Sequence, residues 1–376
     1  MHDAFVIGLK PRQDDGSMPT DALSRRVGGN TGNLVYAHAI CAHLAGNLRV
    51  IDIGAAPQRM NGAGRVGVIQ GANQLGAHFA YDEWARRFEQ LTVGLVVVGL
   101  GAQSDVSMTA PELPPSALEW VRRIVERAPG AAPNLGVRGQ FTKDVLCDHG
   151  FGEHARIVGC PSLFINPDRS LGRTIAARLR EPRRVAVVAG HESWQRLADI
   201  EASLVRLVRE TNGSYIGQHG LNMMRLTRGE AGALSEADLE ALSRYLGPEM
   251  SLGELIRWSR NHGNVFFDVL EWMRHCRQFD FVVGTRIHGT VVALQAGVPA
   301  LCIVHDSRTR ELCETMLVPH VLADSIPRGI ARDELLSWFS FDAEAFDANR
   351  RRLCGAYVEF LEGNGLVPVP WLSALV

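Results

Sequence analysis

The chain has 376 residues, of which 46% are hydrophobic and 21% charged, with a formal net charge of −2 at pH 7. That balance belongs to a folded protein of one large or two average domains. It excludes a disordered chain, a basic nucleic-acid binder and an acidic solvating tail. Every basic residue except Lys10 and Lys143 is an arginine, so an anion site here must be built from arginine. The seven cysteines are scattered with no C-x-x-C, which points to reduced thiols in a reducing compartment. His38 and His43, five apart, do not share a helix face, and no zinc signature occurs, so no metal is expected. The N-terminus shows no signal-peptide pattern, and no apolar run approaches the roughly 20 residues of a membrane span, so a cytoplasmic protein is expected.

Hydrophobic period predicts a helix over Asn33–Leu44, a strand over Arg49–Ile53 and a helix over Asp82–Leu91. Val93–Gly99 is a continuous apolar run, the mark of a strand buried on both faces. Next come a helix over Pro115–Ala128, a strand over Leu135–Val137, a helix over Thr142–His149 and a strand over Arg156–Val158. Asn166–Pro182 is rich in arginine and poor in apolar residues, and reads as a crossing between domains. The alternation then restarts with a strand over Arg184–Val188, a helix over Trp194–Thr211 and a strand over Ser214–Gly217. Helices are expected over Glu236–Leu246, Leu252–Asn261 and Asp268–Arg277. A strand over Phe279–Gly284 and a helix over Thr290–Ala296 follow, then a strand over Ala300–Val304 and a helix over Arg308–Leu317. Asp333–Phe339 and Ala343–Glu362 close the chain as helices. The alternation gives an α/β protein of two Rossmann-like domains facing a cleft, 1–168 and 183–376, joined by 169–182. The apolar, proline-containing end, Gly365–Val376, is expected to pack back on the body.

Ligands of such sheets sit beyond the carboxyl ends of the strands, so the loops after apolar runs carry the candidates. The sharpest is Gly284-Thr285-Arg286-Ile287-His288-Gly289-Thr290, where a strand ends and a helix begins. Helix-start N–H groups favour anions, Arg286 can grip a carboxylate or phosphate bidentately, and His288 can move a proton near neutral pH. The bland reading is a turn whose polar residues cap the helix. Arg308, just past the strand Ala300–Val304, serves equally as a ligand contact or a solvated helix residue. Gly28-Gly29-Asn30-Thr31-Gly32-Asn33 opens a helix without a strand before it and does not fit G-x-G-x-x-G. Asn30 and Asn33 are therefore read as ligand contacts or caps, not as parts of a dinucleotide site. Gln103, Arg138 and His219 each follow a strand and are further candidates, Arg138 as a second anion ligand. Cys160 has no histidine beside it in sequence and reads as turn structure ahead of a nucleophile.

Taken in order, G-G-N-T-G-N-L, G-L-G-A-Q-S, G-V-R, V-G-C-P-S-L-F, G-T-R-I-H-G and A-L-Q-A-G-V-P resemble the polysaccharide pyruvyl transferase family, from Gly28 to about Val318. The resemblance implies a two-domain fold like that of B-type glycosyltransferases. It also implies transfer of the enolpyruvyl group of phosphoenolpyruvate onto two hydroxyls of a sugar, as a cyclic ketal. By it, Arg286 and His288 match the residues that engage the donor, and Arg138 matches the arginine of the first-domain turn. Where many members carry an acidic residue after that arginine, this chain has Gly139. No cofactor or metal is required, and no nucleic acid is a partner. The acceptor is a sugar of a polysaccharide or of its lipid-linked precursor; a lipid-linked acceptor would bring the enzyme to the inner face of the membrane beside membrane-bound assembly enzymes. Two alternatives stand beside this one: a nucleotide-sugar glycosyltransferase, for which Glu311 is a candidate ribose ligand, and a non-catalytic sugar- or anion-binding protein.

Overall fold

A computed structural model describes residues 4–13, 18–77 and 81–376. The strands are β1 (Ala4–Ile7), β2 (Arg49–Ile51), β3 (Val66–Gln70), β4 (Gly94–Leu100), β5 (Leu135–Val137) and β6 (Ala155–Ile157), then β7 (Val185–Ala189), β8 (Ser214–Gly217), β9 (Gly263–Asn264), β10 (Phe281–Gly284), β11 (Ala300–Val304) and β12 (His320–Leu322). They form two six-stranded sheets in the orders β2-β1-β3-β4-β5-β6 and β12-β11-β10-β7-β8-β9. Every pairing between these strands is parallel. The reason lies in the strands themselves: β3 and β7 are buried along their whole length and must be covered by helices on both faces. The second sheet has the strand order of dinucleotide-binding folds and reverses direction between β7 and β10, which opens a crevice at their carboxyl ends.

Both Rossmann-like halves expected from the sequence are present. β1, β3, β9 and β12 were not anticipated. β1 is only four residues long, and Gly67 splits β3, leaving no long apolar run to read. Within the expected crossing, Leu171–Ala177 is helical, and its Gly172 N–H donates to Asp347 at 2.6 Å. Asp347 belongs to the long helix Ala343–Gly363, which follows the second sheet in sequence but packs beside the first. Its Asn364 neighbour donates to the Pro133 carbonyl, and Arg350 donates to the carbonyls of Leu163 and Asp168. The last residues do pack back: Ala45 N–H donates to Val367 O and Val369 N–H to His43 O, both at 2.8 Å.

The halves are also tied directly. Ser104 N–H donates to Ser307 Oγ at 2.7 Å, Arg310 to Val106 O at 3.0 Å, and Thr31 N–H to Gln218 O at 2.9 Å. Asp21 and Arg225 form a two-pronged ion pair at 2.7 and 2.9 Å.

At the mouth of the second sheet β7 and β10 approach so closely that a Cβ on Gly284 would lie 1.9 Å from the Val188 carbonyl oxygen. A Gly284→Ala variant is therefore expected to lose about 3 kcal/mol through overpacking, read as a lowered thermal midpoint. An unchanged midpoint would mean that the two strand ends do not sit this close.

Candidate functional site

Between the two sets of strand ends lies a cleft lined by Arg138 from the first half and by Arg286, His288 and Arg308 from the second. Arg138 follows β5 and Arg286 follows β10. Arg286 is also the residue from which the helix Ile287–Gln295 starts. That helix begins three residues earlier than its hydrophobic period suggested, so His288 sits in its first turn. Arg308 occupies the first turn of Ser307–Met316, and the helix Asn33–His43 also opens on the cleft. Helix starts direct free N–H groups and positive potential into the same space as the guanidinium groups. No acidic side chain lines the cleft among the described residues.

Arg138 and Arg286 are buried, 1% and 6% exposed. The Nε and Nη1 groups of Arg138 and the Nε groups of Arg286 and Arg308 find no hydrogen-bond acceptor among the described residues. One Arg286 Nη2 bond goes to Gly190 O at 3.0 Å, and its guanidinium lies 4.7 Å over the Trp194 ring. Burial, then the neighbouring charge of Arg308, lowers the Arg286 pKa to about 10, which still leaves it cationic at neutral pH. Buried donors without acceptors are costly, and an anion with several oxygens would satisfy them.

The imidazoles around these charges are neutral. Burial, then Arg138 and Arg308, holds His288 well below the usual histidine range. Its Nε2 lies 3.7 Å from Cys160 Sγ, which accepts from Ser162 Oγ, and Tyr36 packs with its ring centroid 5.5 Å away. Cys160 thus has a histidine beside it in space, one that sequence distance hid. His219 stacks on His191 at 3.9 Å, and His191 on Trp194 at 4.5 Å. Burial and then Arg286 push His219 to about 3 and His191 to about 4. His305 is pushed to about 4 by burial, which outweighs the raising effect of Asp306.

Acidic groups stand behind the arginines and do not face the cleft. Burial alone would raise Asp306, yet Arg308, His305 and the Thr309 N–H at 2.7 Å bring it to about 2. Glu311 reaches across the interface and accepts from both the N–H and the hydroxyl of Thr142, each at 2.7 Å. It occupies the space that a side chain at position 139 would need: a Cβ on Gly139 would lie 2.7 Å from Glu311 Cγ and 2.4 Å from Thr315 Oγ1. The carboxylate that stands near Arg138 therefore comes from the other half of the chain. With both oxygens engaged and 2% of the residue exposed, Glu311 is not available to hold a ribose.

Of the residues expected from the sequence, Arg138, Arg286, His288, Arg308, Asn30 and Asn33 meet at the cleft. The two asparagines also build their own turn, Asn30 accepting from Gly32 N–H and Asn33 donating to Val27 O. Gln103 stands one step back, accepting from Asn73, which does line the cleft. Thr285 turns away and donates to the buried Glu201 at 2.9 Å. Gly289 lets its helix approach β7, since a Cβ there would lie 2.6 Å from Val188 Cβ. His219 borders the site through Arg286 and His191. Tyr36, Asn73 and Gln218 line the cleft and were not singled out. Tyr36 lies one turn after Asn33 on the same helix, a spacing that was readable. Among the described residues no three His, Cys, Asp or Glu side chains are grouped to hold a metal ion, and no helix is long and apolar enough to cross a membrane.

The neutral imidazoles have a thermodynamic consequence. His191, His219, His288 and His305, together with His43, which burial pushes to about 3, all resist protonation in the fold. Below an unfolded-state value of about 6.5 the unfolded chain binds protons that the folded chain refuses, so stability falls with pH by up to about 1.4 kcal/mol per unit for each such group. The thermal midpoint is expected to drop steadily between about pH 7 and pH 5. A His43→Phe variant, whose ring would sit among Phe164, Tyr357 and Trp371, should show a shallower slope. A midpoint that is flat over this range would show that these imidazoles are not held neutral.

Comparison with solved structures gives matches at low similarity. UDP-GlcNAc 2-epimerase from Methanocaldococcus jannaschii is 11% identical at a TM-score of 0.45, over 94% of this chain and 98% of that one. A Staphylococcus aureus MnaA–UDP structure is 11% identical at 0.46, over 96% and 97%. A UDP-glucose:anthocyanidin 3-O-glucosyltransferase bound to UDP is 10% identical at 0.36, over 100% and 99%. At those values they carry nothing about chemistry. Comparison with curated protein sequences gives no match. The model of one family, polysaccharide pyruvyl transferase, matches residues 30–307, from the asparagine turn through both arginine loops to the start of the Arg308 helix. That span contains Asn30, Arg138, Arg286 and His288 and covers most of the chain, so the protein belongs to the polysaccharide pyruvyl transferase family and is a transferase.

Proposed function

We propose that the protein transfers the enolpyruvyl group of phosphoenolpyruvate to a sugar of a polysaccharide or of its lipid-linked precursor, forming a pyruvate ketal. The observation that carries this reading is the set of buried arginine N–H groups that, among the described residues, have no acceptor and share a cleft that no carboxylate lines. Phosphoenolpyruvate brings a phosphate and a carboxylate on three carbons, enough oxygens to satisfy donors that converge from both halves. A nucleotide sugar asks for a ribose-binding group, and the candidate for that role, Glu311, is bonded to Thr142.

The proton balance suits a neutral histidine. Two sugar hydroxyls bond to the central carbon of the donor, the methylene becomes a methyl, and phosphate leaves. Of the two hydroxyl protons one ends on the methyl carbon and the other departs with phosphate. His288 at neutral pH carries no extra proton, so it can accept the first hydroxyl proton and return it to the methylene, a contribution of typically ~10²–10⁴-fold. Arg138, Arg286 and Arg308 hold the carboxylate and stabilise the charge that grows on the leaving phosphate. Atoms and charge balance without a further cofactor. A lipid-linked acceptor would hold the enzyme at the inner face of the membrane through its substrate.

Calorimetric titration with phosphoenolpyruvate is expected to show saturable binding. Arg286→Ala should weaken it by about 10- to 100-fold, the value of one or two charge-assisted hydrogen bonds. His288→Gln should leave binding within a few-fold of the parent and abolish ketal formation. Binding of a nucleoside diphosphate with none of phosphoenolpyruvate would overturn the donor assignment.

A further inference from the structure

Glu201 is a carboxylate with no exposed surface, on the helix Ala198–Glu210, whose inward face is otherwise Ile200, Leu204, Val205 and Val208. Packing alone would be served by another aliphatic residue there, because an unpaired buried carboxylate is costly. Its oxygens are placed instead against residues of three adjacent strands and their ends. Oε1 accepts from Thr285 Oγ1 at 2.9 Å, just past β10, and from Gly190 N–H at 3.5 Å, just past β7. Oε2 accepts from Tyr215 Oη at 3.0 Å, on β8. Gly190 is gripped on both sides, since its carbonyl receives the Arg286 guanidinium at 3.0 Å. Thr285, the other anchor, which donates through its side-chain hydroxyl, immediately precedes Arg286.

We infer that Glu201 is a positioning residue for Arg286. It fixes the main chain before the arginine through Thr285 and fixes the carbonyl that receives the guanidinium through Gly190. This rests on the reading that Arg286 grips the anionic donor. The carboxylate thereby bridges the carboxyl ends of β7 and β10, where the strand order of the second sheet reverses.

The test is calorimetric titration with phosphoenolpyruvate, with thermal midpoints measured alongside, on Glu201→Gln, Thr285→Val, Thr285→Ser and the Glu201→Gln/Thr285→Val double variant. Glu201→Gln and Thr285→Val are each expected to weaken binding about tenfold, the value of one charge-assisted bond lost at the arginine. Thr285→Ser keeps the hydroxyl and should stay within about twofold of the parent, because the bond to Glu201 survives. The double variant should lose no more than the weaker-binding single one, since both cut the same link. Parent-like affinity in a folded Glu201→Gln variant overturns the inference, and so do losses that multiply in the double variant. If Glu201→Gln does not fold, the Thr285 pair decides: equal affinities of the valine and serine variants overturn it. If the parent itself binds no phosphoenolpyruvate, the donor reading fails separately. The same variants are then titrated with inorganic phosphate, where an unchanged affinity overturns the positioning role.

Discussion

Positive charge held out of water between two sheets is the constraint around which this molecule is arranged. Three guanidinium groups share one cleft, two of them almost fully buried. Each has an acid behind it rather than in front: Glu201 near Arg286, Glu311 near Arg138 and Asp306 near Arg308. The acids lower the cost of burying the charges, but their oxygens are already engaged by Thr285 and Tyr215, by Thr142 and by Thr309. The field on the cleft side therefore stays positive, while the framework side is balanced. Burial, helped by the same field, keeps the surrounding imidazoles neutral, which makes them bases or hydrogen-bonding groups at neutral pH and not resident acids.

Neither half holds this arrangement alone. Arg138 enters from the first sheet, and Arg286, His288 and Arg308 from the second. The helix Ser307–Met316 does double work, presenting Arg308 to the ligand side and Glu311, Ser307 and Arg310 to the first half. The closing helix Ala343–Gly363 returns to the first sheet and ties the chain's end to the half that its sequence position would not suggest.

Much of this was legible in the sequence, and the failures have physical causes. Strand ends followed by Arg138, Arg286 and Arg308 could be read because long apolar runs and glycine turns flag where a parallel strand stops. β1 and β3 were missed because one is short and a glycine interrupts the other. The start of the helix Ile287–Gln295 was read late, since its hydrophobic period shows only after its first turn. Asn30 and Asn33 line the cleft and also build their own turn, whereas Thr285 and Gly289 share the Arg286 loop but serve the framework. Which side of a loop a polar residue faces is decided by partners distant in sequence: Glu201 is 84 residues before Thr285, and Cys160 is 128 before His288. No local pattern reports such pairs.

The absence of a side chain at position 139 has a consequence for how this protein can change. The room left by Gly139 is filled from the opposite half by Glu311 and Thr315. Two sites 172 residues apart, 139 and 311, are thus bound into one steric and electrostatic unit. An acid could move from the second half to the first only if the glutamate were shortened in the same event. A side chain at 139 therefore requires a compensating change at 311 or 315, and the two halves can vary at this contact only together.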